Sequence, residues 1–146
     1  MGGHPWWYLV PYDKDVAKCL EALRRQEFEA GRYNPAEAFP RFPVDQRHRA
    51  GRKHASISAA CAAADADGTR SILDMTRVAA KPDFGAVVPL DESELTDFFG
   101  TPRPTAADVQ ESEELFDALE RGRGAYIVVY ENDEPSQIFF AGYSYD

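Results

Sequence analysis

Residues 126–143 read YIVVYENDEPSQIFFAGY, and this stretch decides the fold. Two runs rich in β-branched and aromatic residues, 126–130 and 137–143, flank the polar segment 131–135. Runs of this composition favour β-strands, and a short segment containing Asn, Asp and Pro favours a turn. The sequence therefore predicts a C-terminal β-hairpin with a loop of about four to six residues.

The two predicted hairpin strands are apolar on both faces in places. Val128-Val129 in the first strand and Phe139-Phe140 in the second point large apolar side chains to opposite sides of the sheet. This pattern is typical of strands that lie centrally in a sheet or have an edge covered by a partner. The last strand, residues 137–143, is therefore expected to pair either with a second copy, giving a homodimer, or with an internal neighbour.

The chain before the hairpin predicts a mixture of strands and helices. Residues 6–10 have the composition of a short strand, and Asp13 is the expected N-cap of a helix that stops at Gly31. Further helices are predicted over residues 55–64, 91–99 and 105–121, and further strands over residues 71–78 and 85–90.

This order of elements predicts an α+β fold. The expected architecture is a small antiparallel or mixed β-sheet with a C-terminal β-hairpin, packed on one face by three to four helices. The length of 146 residues predicts a single globular domain over residues 1–146, since domains cluster near about 100–150 residues.

The charged residues are unevenly distributed. There are 25 Asp and Glu against 16 Lys and Arg, so the formal net charge is −9. Residues 1–54 carry ten basic and seven acidic side chains, whereas residues 55–146 carry six basic and eighteen acidic ones. Because phosphate repels a net anion, this balance argues against nucleic acid as a partner.

Two charged stretches are candidate sites. In the helix predicted over residues 105–121, the acidic side chains indicate either a solvated face or a docking face for a basic partner. This predicted docking face comprises Glu111, Glu113, Glu114, Asp117 and Glu120. The basic segment, residues 41–54, lies in a long stretch without periodicity and indicates either an anion- or partner-binding loop or charges that pair with the acidic helices. Its candidate residues are Arg41, Arg47, His48, Arg49, Arg52, Lys53 and His54.

Several classes of protein are not favoured by the sequence. No run approaches the roughly 20 apolar residues of a membrane span, and the N-terminus lacks the pattern of a secretory signal. No nucleotide-binding glycine loop is present, so no cofactor is expected. Cys19 and Cys61 lack zinc-ligand spacing, and Asp65, Asp67 and Asp74 supply too few oxygens for calcium, so no metal is expected. A cytoplasmic location is predicted, and the excess of Arg over Lys and of Ala is typical of bacterial proteins from GC-rich genomes.

Two functional hypotheses from different classes follow. The first is a small acidic interaction protein, such as an immunity or antitoxin-like inhibitor or a regulatory subunit, that binds a basic partner protein. The second is a small enzyme or ligand-binding domain that uses the basic segment on an anionic ligand, with His48 or His54 as acid or base. His54 and Ser58 lie four residues apart and share a helix face if the helix begins by His54. No catalytic constellation is complete, however, which favours the first hypothesis.

Overall fold

The structure, a computed structural model, describes residues 3–40 and 49–145. It contains five strands, five α-helices and one turn of 3-10 helix at Ile72–Asp74 within these residues. The elements are β1 (Pro5–Pro11), α1 (Val16–Ala30), α2 (Ile57–Ala63), β2 (Arg77–Val78), β3 (Ala86–Pro89), α3 (Glu92–Phe99), α4 (Ala106–Gln110), α5 (Glu113–Ala118), β4 (Gly124–Glu131) and β5 (Glu134–Tyr143).

The strands form one mixed sheet in the order β1-β5-β4-β3-β2. The predicted α+β class and the C-terminal hairpin, β4 and β5, are confirmed. β5 pairs antiparallel with both of its neighbours, whereas β2, β3 and β4 are parallel to one another. Both hairpin strands are central, as their apolar residues indicated. β5 lies between its hairpin partner β4 and the internal strand β1. Pairing of β5 with a second copy is therefore not available as a route to a homodimer.

The hairpin turn is tighter than the predicted loop of about four to six residues. Glu131 pairs with Glu134, so the connection is only Asn132 and Asp133. Both residues have positive φ, 52° and 62°, which is the backbone of a turn whose twist matches that of paired strands. Asn and Asp tolerate this conformation better than other residues with side chains, so the polar residues form the turn and the strands extend into the acidic segment.

The helices lie on both faces of the sheet, which corrects the expectation of packing on one face. Even-numbered positions of β1 and β5 join one core with α1, and odd-numbered positions join a second core with α4 and α5. The first core includes Trp6, Tyr8, Leu20, Leu23, Ile138 and Phe140, and the second includes Val109, Leu115, Ile127, Val129 and Phe139. A strand that is apolar on both faces needs cover on both, and the crossover from β3 to β4 supplies the second layer.

Glycine is required where β5 passes under Trp6. A Cβ atom on Gly142 would collide with the Trp6 ring and would lie 2.7 Å from the Arg123 carbonyl oxygen. The absence of a side chain lets the buried indole lie directly on the sheet.

Two predicted elements differ because side chains cap the backbone locally. Residues 71–78 have the composition of a strand, but the Ser71 hydroxyl accepts a hydrogen bond from the Leu73 N–H and starts the 3-10 turn, which leaves only β2. The helix predicted over residues 105–121 is divided into α4 and α5, because the Ser112 hydroxyl accepts from the Leu115 N–H and starts a second helix. The N-cap of α1 is Asp15 rather than Asp13.

Candidate functional site

The acidic residues of the chain are concentrated in the crossover that contains α3, α4 and α5. Residues 91–120 hold ten Asp and Glu side chains and a single basic one, Arg103. Nine of the ten are exposed and Asp108 is half-buried. We call this set the acidic face: Asp91, Glu92, Glu94, Asp97, Asp108, Glu111, Glu113, Glu114, Asp117 and Glu120. It includes all five residues of the docking face predicted from sequence.

Capping interactions fix the start of each helix on this face. Asp91 and Glu94 form a reciprocal capping box, in which each carboxylate accepts from the other residue's backbone N–H, at 2.8 and 3.1 Å. Thr105 and Asp108 form a second box, at 3.3 and 2.9 Å, as their spacing indicated. Carboxylates in the first turn also interact favourably with the helix dipole. These acids therefore contribute to helix stability as well as to the negative surface.

Other acids on this face oppose the helix dipoles. Asp97 and Asp117 lie in the last turns of α3 and α5, and Glu111 is the C-cap of α4. A negative charge at a helix C-terminus is unfavourable by about 0.3–1 kcal/mol, and none of these three last turns contains a basic residue to offset it. Helix stability therefore does not explain why these positions are acidic.

Few cations neutralise the acidic face. Within the described part of the chain, no Lys or Arg forms an ion pair with Glu111, Glu113, Glu114 or Asp117. Arg103 is turned toward the hairpin instead, where it lies 5.6 Å from the centre of the Tyr130 ring and 3.9 Å from the Asp133 carboxylate. The negative charge of the face is therefore presented to solvent.

Where the three helices meet, a shallow cleft of about 430 Å³ joins part of the acidic face to two aromatic rings. We call it the Phe cleft. Its walls are Phe98 and Phe99 of α3 and the acidic side chains Asp108, Glu111, Glu113 and Glu114, with Ser112 between them. The structure thus brings together three of the five predicted docking residues. It also adds Asp108 and the two phenylalanines, which were not predicted as site residues.

A second cleft, of about 440 Å³, lies on the other side of Phe98, and we call it the β3 cleft. Most of its lining residues are apolar, and they include Val88, Leu90, Phe98, Leu115 and Leu119. Its polar lining residues are Asp91, Glu94, Glu120 and Arg123. Glu120 and Arg123 form an exposed ion pair at 3.3 Å. The predicted docking residue Glu120 therefore belongs to this cleft, whereas Asp117 lines neither of the two.

Helix α3 lies between these clefts and is less deeply buried than α5. Leu95, Phe98 and Phe99 are its large apolar residues, and none of them is fully buried. By contrast, α5 is anchored by Leu115, which is 1% exposed, and by Phe116, whose ring meets those of Trp7 and Tyr143 edge-on. Adjacent residues on a helix point about 100° apart, so Phe98 and Phe99 cannot both face the sheet. This pair was the signal in the sequence for an aromatic surface.

In the basic segment, Arg52 has a structural role. Its guanidinium donates to the carbonyl oxygens of His54 and Ala55, at 3.1 and 2.7 Å. It also lies 5.2 Å from the centre of the Phe28 ring and 3.9 Å from the Glu29 carboxylate on α1. Among the described residues, Arg52 therefore pairs with a carboxylate of α1 and not with the acidic helices.

His54 is likewise committed to the fold. Its Nδ1 lies 2.7 Å from the hydroxyl of the buried Tyr33, and it precedes α2, whose N-cap is Ser56. His54 and Ser58 therefore do not share a turn of this helix, which corrects that expectation. Arg49 and Lys53 are exposed, whereas the predictions for Arg41, Arg47 and His48 fall outside the described residues.

The basic segment returns to α1 through a close backbone contact. The Gly51 N–H donates to the Ala30 carbonyl oxygen at 2.9 Å. Gly31, which ends α1 with φ of 71°, has no room for a Cβ atom because the backbone of Gly51 lies against it. Residues 49–54 are thus held at the end of α1, in the layer opposite the acidic face.

A further group of charged side chains is buried beneath α1. Arg32 donates to both carboxylate oxygens of Glu27, at 2.9 and 2.5 Å, and both residues are almost fully buried. Asp74 accepts from the Thr69 N–H and hydroxyl, at 2.7 and 2.8 Å. Burial raises the pKa of Asp74 to about 6, although the Thr69 hydrogen bonds and the Arg24 charge oppose this shift. These contacts tie separate segments together, and we assign them a structural role.

The described residues contain no group of three or more His, Cys, Asp and Glu side chains that could hold a metal ion. No helix in the described ranges is long and apolar enough to cross a membrane. No family model and no curated protein matches the sequence, and no solved structure matches the fold.

Proposed function

We propose that this chain is an interaction protein that binds a basic partner protein through the acidic face, either as an immunity or antitoxin-like inhibitor or as a regulatory subunit. The observation that carries the proposal is the density of exposed acidic residues in α3, α4 and α5, together with the Phe cleft that they line. Complementary charge speeds association and selects partners, while apolar side chains within a polar rim supply affinity.

The positions of the acids support a role in binding. Glu111 and Asp117 oppose the local helix dipoles, and Glu113 and Asp117 are like charges at i,i+4 spacing. Each of these arrangements disfavours the fold by a few tenths of a kcal/mol or more. These positions therefore cost the helices stability, and binding of a basic partner would supply the charges that neutralise them.

The test is capture of the partner by the immobilised full chain from extracts of the cells that produce it. The informative variant is Glu111→Lys/Asp117→Lys, since Lys at these two positions improves the interaction with the helix dipoles and should leave the fold intact. The matched control is Glu131→Lys/Glu134→Lys, which makes the same change in net charge at the exposed hairpin turn.

The expected result is that the unmodified chain and the control variant both retain the same basic protein at about 0.1 M salt and release it near 0.5 M. The acidic-face variant should retain little of it. Equal retention by all three chains would contradict the proposal, as would a captured partner that is itself acidic.

A further inference from the structure

We infer that the β3 cleft receives a large apolar side chain from a basic segment of the partner, so that the partner is recognised by an apolar anchor flanked by lysine or arginine. This inference rests on the proposed function and adds the chemistry of the bound segment. Its basis is the combination, in one cleft of about 440 Å³, of an apolar floor with a rim that is mainly acidic.

The floor of the cleft suits an apolar side chain. Val88 and Leu90 come from the end of β3, Phe98 from α3, and Leu115 and Leu119 from α5 and its C-cap. A cleft that orients a small polar ligand has polar groups converging on it, whereas an interface pocket has an apolar interior and a polar rim. The β3 cleft has the second arrangement, because the side chains that form its interior are aliphatic or aromatic.

The rim of the cleft suits cations. Asp91 and Glu94 each use one carboxylate oxygen in the capping box, which leaves the second oxygen of each without a hydrogen bond among the described residues. Arg123, the basic residue of the lining, is engaged by Glu120 at 3.3 Å. Lysine or arginine on either side of an anchoring side chain would therefore meet carboxylates, while acidic flanking residues would be repelled.

The experiment uses two synthetic peptides with the full chain. In one, a central phenylalanine is flanked on both sides by lysines, and in the other a serine replaces the phenylalanine. Ala118 is an exposed residue that lines the β3 cleft, so Ala118→Trp fills the cleft without crowding the core. Ala107→Trp is the matched control, since Ala107 is an exposed helical alanine that lines neither cleft. Ala118→Met provides a smaller filling if the tryptophan variant fails to fold.

Dissociation constants are measured by fluorescence anisotropy at about 0.1 M salt. The phenylalanine peptide should bind the unmodified chain and the Ala107→Trp variant about tenfold more tightly than the serine peptide. Ala118→Trp should abolish this difference. Glu94→Gln, which removes a rim charge but keeps an acceptor for the capping box, should weaken both peptides. Equal, salt-sensitive binding of the two peptides would overturn the anchor while leaving the proposed function in place. Binding that no acidic-face substitution affects would instead count against the proposed function.

An isolated apolar ligand distinguishes an anchor site from a small-molecule site. Indole alone should bind weakly, because it brings no cation to the rim. If indole binds the unmodified chain as tightly as the phenylalanine peptide, and Ala118→Trp blocks both, the cleft is a small-molecule site and the inference is overturned.

Discussion

Glu27 is a carboxylate with no exposed surface, at a point where the helix α1 could have placed an apolar side chain. Arg32, beyond the end of the helix, reaches back to it with two hydrogen bonds. Hydrogen bonding to Glu27 raises the pKa of Arg32, which keeps the guanidinium charged. Removing one member of such a pair leaves the other charge buried and unpaired, which costs far more than the pair itself contributes.

Glu27→Gln should therefore lower the free energy of unfolding by about 3–5 kcal/mol. Glu29→Gln is the control, because the exposed Glu29 is 3.9 Å from Arg52 and such surface pairs contribute about 0–1 kcal/mol. Urea denaturation of the two variants and the unmodified chain gives the comparison. If both substitutions lower the free energy of unfolding by a similar, small amount, the buried pair of Glu27 and Arg32 does not contribute more to stability than a surface pair.

The raised pKa of Asp74 predicts that the stability of the fold depends on pH. Burial raises its pKa from 3.8 to about 6, so between these values the folded chain binds more protons than the unfolded chain. Stability from this group is consequently lost as pH rises through that window, by about 3 kcal/mol in total. The positive charge of Arg24 opposes this shift. The other titratable groups that interact with the charge of Asp74 are Tyr8, Cys61 and Tyr145.

Asp74→Asn removes the titration while keeping an oxygen that can accept from Thr69. The difference in free energy of unfolding, variant minus unmodified chain, should rise by about 3 kcal/mol from pH 3.5 to pH 7. Urea denaturation across this range measures it, and the exposed Asp65→Asn serves as the control. A difference that stays constant with pH would rule out the proposed protonation of Asp74.

At the scale of elements, local signals in the sequence were sufficient for the hairpin and for the helices with strong caps. The capping-box spacing of Thr105 and Asp108 placed the start of α4 correctly. The division between α4 and α5 was missed because Ser112 acts as an N-cap inside a stretch whose apolar spacing is continuous. A cap is one hydrogen bond, which periodicity does not show.

The hairpin turn offers a test of this local control. Asp133 has φ of 62°, a conformation that glycine adopts without the steric penalty of a side chain. Asp133→Gly should therefore raise the free energy of unfolding by about 0.5–1 kcal/mol, measured by thermal or urea denaturation. Glu134→Gly is the control, and it should lower stability because Glu134 is a strand residue. If Asp133→Gly destabilises the chain as much as the control does, the assignment of a two-residue turn with positive φ at Asp133 is contradicted.

At the scale of the whole molecule, the sequence showed that basic and acidic residues are concentrated in different parts of the chain. It did not show where these parts lie relative to each other in the fold. The order of the strands determines which layers cover the sheet, and that order depends on long-range pairing. Once β5 lies between β1 and β4, the crossover carrying α3, α4 and α5 covers one face and α1 covers the other. The acidic face and the described basic residues 49–54 therefore lie in opposite layers, although the sequence allowed them to pair.

This separation predicts how salt affects the fold. Because cations within the described part of the chain neutralise little of the acidic face, its carboxylates repel one another, and salt screens this repulsion over a Debye length that falls to a few ångströms near 1 M. The melting temperature of the unmodified chain should rise as NaCl increases from about 0.02 M to 0.5 M.

The rise should be smaller for Glu111→Lys/Asp117→Lys, which places cations among the acids, than for Glu131→Lys/Glu134→Lys, which makes the same change in net charge at the hairpin turn. Circular dichroism melts of the three chains measure the difference, and equal rises in all three would show that salt acts on net charge rather than on this face.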